Sequence, residues 1–408
     1  MKICFIYDGE YPWDIRVEKI CDTLISAGND VYLVCRNYRA ESLSERTNSF
    51  EINRMPFLSS KTIFLNKLIN FPLFFSPFWI LRSFQVARGQ KCQLIIVRDL
   101  PLALTAILVG KIISIPVVMD MAEVYPEALR SNWMFDKKKM RGINHLIRSP
   151  YLAEKIEKLV VRLINHIFVV SQESKNRLQQ LYSCSKDKVS VVGNTPELSK
   201  FYAQQPSFPG SLSMLKTKKI ILFSGFILGD RGLSLAIKAM PTILVQVPNA
   251  HLVIVGEGIG KENLEKLVKG MGLREKITFE GWVDNPIISK YAASSTIGIL
   301  PFSLCKHTQI TLANKLFDYM AVGLPVVASN LRPMLRIIEE ERCGILFKAN
   351  DQHDYEIKVT NLLKDKNLRQ RLSKNGIRAS LTKYNWANEA KTVNRIVEQL
   401  DAHQGSYS

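Results

Sequence analysis

The sequence has no Cys-x-x-Cys pair, no Asp-x-Asp, no His-Glu-x-x-His and no Walker loop. Its seven cysteines are odd in number, scattered and mostly set in apolar runs such as Ile3-Cys4-Phe5 and Val34-Cys35. That usage fits reduced, buried thiols in a cytoplasmic protein and excludes both a disulfide framework and a zinc site. No acid falls between Glu51 and Asp99. Long hydrophobic runs are missing too: Leu68 to Leu81 is uncharged but is broken by Pro72 and Pro77, and it falls short of the roughly 20 residues a membrane-spanning helix needs. The N-terminus meets Asp8 too early for a secretory signal and reads as a first β-strand. With 47% hydrophobic and 23% charged residues, 21 Gly and 17 Pro, the chain is neither disordered, collagenous nor a coiled coil.

What is present is length and positive charge. A chain of 408 residues suits two domains at about 200 residues each. Lys and Arg number 55 against 37 Asp and Glu, a net +18, which calls for an anionic partner: nucleic acid, a phosphorylated substrate or acidic lipid. Much of the first half's excess lies in residues 51 to 150. There Lys61, Lys67, Arg82 and Arg88 alternate with Phe74, Phe75 and Trp79 among other aromatics and prolines. This composition suits a surface that meets a lipid interface with its cations on phosphate headgroups; the other reading is an amphipathic helix pair covering a sheet. The Lys137-Lys138-Lys139-Arg141 cluster either extends the patch or is a solvated loop.

Short apolar strands alternate with amphipathic helices along the chain, the pattern of parallel sheets with helices on both faces. Strand-like runs include Lys2 to Tyr7, Val31 to Cys35, Leu94 to Val97 and Val117 to Met119, and the rhythm breaks at Asn194-Thr195-Pro196 and the Pro/Gly/Ser-rich run 205–213. After Lys219 it restarts, with strands at Ile220 to Phe223, His251 to Val255, Ile277 to Phe279 and Ile297 to Leu300. The expected division is a first Rossmann-like domain over 1–195, a linker over 196–218 and a second such domain over 219–385. Ligands of such sheets bind beyond the carboxyl ends of the strands. Chemistry is therefore expected in a cleft where two of them face each other.

The run Asn314-Lys315-Leu316-Phe317-Asp318-Tyr319-Met320-Ala321 followed by Gly323-Leu324-Pro325-Val326-Val327 reads as a helix ending at glycine and feeding a strand. Lys315 and Asp318 then lie one turn apart near the helix start, where free amides and the positive dipole end suit a phosphate and a carboxylate can accept sugar hydroxyls. The bland alternative is a capped helix with a surface Asp. This run resembles the donor-site motif of retaining GT-B glycosyltransferases of the "glycosyl transferases group 1", or family-four, type, in the branch that builds bacterial surface polysaccharides. The resemblance extends over essentially the whole chain. It implies an α/β fold of two doubly wound Rossmann-like domains facing across a cleft, and a sugar transferred with retention from a nucleotide diphosphate donor. UDP-sugar is expected over GDP-sugar, with no cofactor, no zinc and no nucleic acid. The acceptor it implies is a glycan or polyprenyl-linked glycan at an anionic membrane surface, which would make the protein cytoplasmic and peripherally bound.

By the same resemblance Asp318 grips the ribose, Asn314 and Lys315 stand beside it, and Arg231 occupies the Lys position of the diphosphate loop that opens at Gly225. Phe226 stands where that loop usually has Arg, so Lys315 or Arg16 is the candidate replacement, and Ile310 stands where a first Glu is usual. Gly256 and Gly258 match the turn after a strand near the base. Trp282 either stacks on the base or is core. Tyr11-Pro12-Trp13-Asp14-Ile15-Arg16-Val17 resembles an opening in which Gly9 and Arg16 serve the acceptor or phosphate side; the alternative for Arg16 is a salt bridge with Asp14 or Glu18. Asp120-Met121-Ala122-Glu123 resembles the segment near the transferred sugar, with Ala122 in place of the family His. That leaves Glu123, ahead of Asp120, as the carboxylate that stabilises positive charge or orients the acceptor, or else both are capping or core polar groups. Arg98-Asp99 ends a strand with no role assigned. The missing Asp-x-Asp fits metal-free chemistry, with Arg231, Lys315 and helix amides neutralising the diphosphate. The helix over 386–408 is expected to cross back to the first domain by the same analogy. Two other readings are a nucleotide-sugar epimerase or phosphorylase on this fold, and a non-catalytic basic protein that binds nucleic acid or lipid.

Overall fold

The computed structural model describes residues 1–12, 14–47, 49–58, 63–71, 74–135, 148–199 and 215–405. The chain divides into two compact units: Met1–Arg130, Lys138–Asn194 and Ala387–Ser408 form the first, and Ser131–Lys137 and Thr195–Trp386 the second.

The first unit is built on β1 (Lys2–Ile6), β2 (Asp30–Cys35), β3 (Ser44–Arg46), β4 (Glu51–Arg54), β5 (Leu94–Arg98), β6 (Val117–Met121), β7 (His166–Val169) and β8 (Val189–Val191). They hydrogen-bond in the order β3-β4-β2-β1-β5-β6-β7-β8, parallel apart from the β3–β4 pair. Central strands such as Leu94–Arg98 are buried at every position, because helices cover both faces of a parallel sheet and an apolar residue is wanted on either side. The β3–β4 edge was not anticipated: β3 is three exposed polar residues, too short and too charged to carry a strand pattern, and well suited to blunting an edge. The helices are α1 (Ile15–Ser26), α2 (Ile63–Asn70), α3 (Pro77–Gly89), α4 (Ala103–Ile113), α5 (Tyr125–Phe135), α6 (Pro150–Leu163) and α7 (Gln172–Tyr182). Helix α1 starts at Ile15 because the Asp14 carboxylate caps it by accepting from the amides of Arg16 and Val17.

The second unit carries six parallel strands: β9 (Lys219–Ser224), β10 (Ala250–Val255), β11 (Ile277–Gly281), β12 (Ile297–Leu300), β13 (Val326–Ser329) and β14 (Gly344–Phe347). Their order is β11-β10-β9-β12-β13-β14, wrapped by α8 (Leu233–Gln246), α9 (Lys261–Gly270), α10 (Asn285–Ala293), α11 (Asn314–Ala321), α12 (Arg332–Glu341), α13 (Gln352–Lys364) and α14 (Lys366–Thr382). Both units are therefore doubly wound α/β domains. The last helix, α15 (Trp386–Gly405), groups with the first unit from Ala387 onward, where its Glu389 accepts the Gly193 amide at 2.8 Å. No helix among the described residues is long and apolar enough to cross a membrane.

The basic aromatic stretch splits. Trp79, in the first turn of α3, is fully buried, so it is core and not surface as expected, and Phe74 makes an edge contact with Tyr125. Arg82 is committed to the chain itself, donating to the carbonyls of Arg54 and Leu43. Phe75 and Arg88 remain exposed. Lys61 and the Lys137–Arg141 cluster lie outside the described residues, as does the side chain of Lys67. Trp79→Ala is expected to cost about 3–5 kcal/mol of stability; an unchanged denaturation midpoint would contradict its burial.

Candidate active site

In a doubly wound sheet the winding reverses beside the first strand, and the loops there part to leave room for a ligand. The reversal falls between β1 and β5 in the first sheet and between β9 and β12 in the second.

In the second unit, β9 ends at Ser224 and runs through Gly225 to the short turn Gly229–Arg231 before α8. Gly232 stands at φ 68°, and a Cβ there would lie 1.7 Å from the Pro301 carbonyl oxygen, so only glycine fits. The loop is thereby clamped onto the segment that follows β12. The Ser303 amide donates to the Asp230 carbonyl at 2.9 Å, and His307 Nδ1 donates to the Asp230 carboxylate at 3.1 Å. Burial raises the Asp230 pKa, but the His307 hydrogen bond and the Arg231 charge together hold it below the usual carboxylate range. The neighbouring Arg231 guanidinium lies 4.6 Å above the Phe302 ring and 3.6 Å from Asp230. A cation is thus fixed in orientation at the reversal point.

The loop after β10 is stacked on the same edge. A Cβ on Gly256, at φ 141°, would meet the Gly225 oxygen at 2.0 Å, which requires glycine there, and Gly258 faces the Ile227 carbonyl. The Gly256 amide donates to Gly281 at the end of β11 at 2.7 Å. Beyond these backbones stand two aromatics, Phe226 and Trp282, each more than half exposed with ring centroids 5.5 Å apart. Trp282 is therefore not core.

Helix α11 opens at the exposed Asn314 with Ala313 at its cap position. Alanine has no side-chain acceptor, so no side chain caps the first amides of the helix, of which Leu316 donates to the Ala313 carbonyl at 3.0 Å. Lys315 Nζ and Asp318 Oδ2 sit 2.8 Å apart, both partly exposed. The sequence reading gave them separate partners; here each neutralises the other. Tyr319, on the buried side, anchors the helix: its hydroxyl accepts the Ser224 amide at 2.9 Å. Sequence reasoning passed over Tyr319, Asp230 and His307, because their partners lie 77 and 95 residues away.

The first unit's reversal point is held by charge. Asp120, at the end of β6, is fully buried. Its carboxylate accepts from Arg16 Nε at 3.0 Å and Nη2 at 2.7 Å, and from Arg98 Nη1 at 2.8 Å. Arg98 also reaches Asp14 at 3.0 Å, and Arg16 spends its remaining nitrogen on the Gly193 carbonyl. Although burial alone would raise it, the Asp120 pKa is driven below its ordinary range by Arg16 and then Arg98. This alters two expectations. Arg16, 2% exposed, has its side chain paired with Asp120 and not with Asp14 or Glu18, and each of its three nitrogens already donates within the first unit. Asp120, gripped on both oxygens, braces the strand ends.

Glu123 is exposed, and the loop that carries it is pinned by Asp99, whose Oδ1 accepts the amides of Ala122 at 2.9 Å and Glu123 at 3.1 Å. Asp99 adopts φ 58° and ψ 177°, a region almost confined to glycine, and such strain persists where the surroundings enforce it. Burial pushes its carboxyl up to about 7, against the pull of Arg98. Gly9, after β1, accepts the Arg36 amide and packs against the Tyr7 ring.

Asp120→Ala strands two buried guanidinium groups and is expected to cost about 3–5 kcal/mol in denaturant unfolding; a loss under 1 kcal/mol would refute the pairing. For Asp99 the folded pKa lies above the unfolded value of about 3.9. Its ionisation therefore opposes folding: the stability contributed by the protonated carboxyl is fully present below about pH 4 and is lost as pH rises to about 7. Asp99→Asn is expected to gain thermal stability relative to wild type between pH 5 and pH 8, whereas a pH-independent difference would contradict the raised pKa.

Comparisons with known proteins agree on one group. The family described as "Glycosyl transferases group 1" matches residues 204–379, and "Glycosyltransferase Family 4" matches residues 15–199. An uncharacterised glycosyltransferase of Methanocaldococcus jannaschii is 30% identical over 234 residues, covering 56% of this chain and 58% of that protein. The chain spans about half the length of the curated relatives it matches. Among solved structures, sucrose-phosphate synthase of Thermosynechococcus elongatus superposes with a TM-score of 0.76 at 17% identity, covering 99% of this chain and 100% of that one. Anabaena HepE in complex with UDP and glucose does so at 0.72 and 13%, covering 98% and 100%.

Proposed function

The chain belongs to the GT-B glycosyltransferases, and from that premise we propose that it moves a sugar, with retention and without a metal, from a UDP-sugar to a lipid-linked glycan acceptor on the cytoplasmic face of a membrane. The observation that carries this reading is that the loop bearing Arg231 and the segment leading to α11 follow the carboxyl ends of β9 and β12, neighbours at the reversal point, with the Lys315–Asp318 pair in the first turns of that helix. Fixed donors of this kind stabilise a charge that develops as a bond breaks.

In the proposed reaction the bond between the anomeric carbon and the diphosphate oxygen breaks, and the departing diphosphate is met by Arg231, Lys315 and the α11 amides. Asp318 exchanges Lys315 for the ribose hydroxyls. The turns at Gly225, Gly256 and Gly258 bring backbone close to the nucleotide, and Trp282 offers a ring face to the base. Asn314 borders the sugar. The acceptor hydroxyl attacks on the face from which the diphosphate leaves, and its proton passes to the departing diphosphate oxygen as the new glycosidic bond forms. Glu123, on the first unit, is the carboxylate available to steady positive charge at the anomeric centre or to orient that hydroxyl. Asp120 and Arg16 serve by positioning. A UDP donor is supported by the bound UDP and glucose of the Anabaena protein.

Asp318→Ala is expected to weaken UDP-sugar binding by one to two orders of magnitude, roughly 1.4–2.8 kcal/mol, with little change in melting temperature. Equal affinity of mutant and wild type in calorimetry would remove Asp318 from the donor site.

A further inference from the structure

Three helices of the first unit, α3, α4 and α6, form one layer. Strands β5, β6 and β7 succeed one another in a single direction across the sheet, and right-handed crossovers then place the connecting helices on one face. Accordingly α3 packs on α4, and α4 on α6. The outer side of this layer is unusual. Helix α3 exposes Phe78 and Leu81, α4 exposes Ile112, and α6 exposes Tyr151, Leu152, Leu159 and Leu163, each between 40% and 70% accessible. Scattered exposed apolar residues are ordinary, but a run of them across three adjacent helices marks a surface that meets something apolar.

Among the described residues, the fully exposed charges of these three helices have one sign. Arg88 on α3, Lys111 on α4 and Lys155, Lys158 and Arg162 on α6 are all exposed. Helices α3 and α4 contain no acid. The two acids of α6 are each engaged by an arginine: Glu154 pairs with Arg130, and the fully buried Glu157 with Arg177 at 2.7 Å. Apolar side chains ringed by unopposed cations complement an anionic bilayer, which accepts the first into its interface and the second among its phosphates.

We propose that the outer face of the α3–α4–α6 layer, with α6 as its principal element, docks the protein on anionic lipid. The inference rests on the lipid-linked acceptor proposed above but assigns the contact to a helix that the basic aromatic stretch does not include.

The test is co-sedimentation of the full chain with phosphatidylcholine vesicles, with and without phosphatidylglycerol. Wild type is compared with Lys155→Glu/Lys158→Glu/Arg162→Glu and with a charge-matched control on the second unit, Lys269→Glu/Lys366→Glu/Arg371→Glu. Wild type and control are expected to sediment with the anionic vesicles only, while the α6 variant loses on the order of tenfold or more in partitioning at unchanged melting temperature and UDP affinity. If wild type binds neither vesicle, the membrane reading falls together with this face. If wild type binds and the α6 variant binds equally, or the control loses as much, the face is overturned and the membrane reading stands. A wild-type dimer in light scattering that the α6 variant converts to monomer would make the face a subunit contact and overturn lipid docking.

Discussion

A doubly wound sheet has one weak place, the point where its winding reverses and two adjacent strands send their loops in opposite directions. Ligands use that gap, and a gap left unbraced would not hold them in register. In this chain the brace is a buried carboxylate in each unit. Asp120 gathers Arg16 and Arg98, and Arg98 reaches on to the Asp14 that caps α1. Asp230 ties the loop after β9 to His307 in the segment after β12. Each carboxylate is out of water, where an unpaired charge costs several kcal/mol, so the geometry survives only while every partner is in place.

That constraint explains the division of labour among polar residues. The buried charges are consumed in holding strand ends, and Arg231, Lys315, Asp318 and Glu123 are groups left partly exposed at the same strand ends. Arg231 lies between the two classes, since its ring contact and its neighbour Asp230 orient a charge that still reaches solvent. Asp99 shows the cost of the arrangement. It keeps a strained backbone and a carboxyl whose ionisation opposes folding, and in return it pins the loop that carries Glu123.

The sequence announces whatever repeats locally. Apolar strands buried on both faces, the glycines that close β9 and β10, and the run around Asp318 are all readable from neighbours a few positions apart. Pairing over long distance is not. Arg16 looked free for a phosphate because its partner Asp120 lies 104 residues on, and Tyr319 looked like one more apolar helix residue until Ser224 appeared above it. Trp79 failed for a related reason: a tryptophan beside cations has the same composition whether it faces lipid or core, and only the packing of α3 decides. The β3–β4 edge carries no pattern at all, since a three-residue polar strand is defined by its partner.

The central claim is that the edge of the second sheet bearing Arg231, Lys315 and Asp318 is a nucleotide-sugar site. A thermal-shift panel of UDP- and GDP-sugars with the free nucleotides tests it most directly. The account predicts an upward shift that is selective for UDP and for one of its sugars. No shift with any nucleotide sugar at millimolar concentration would contradict it.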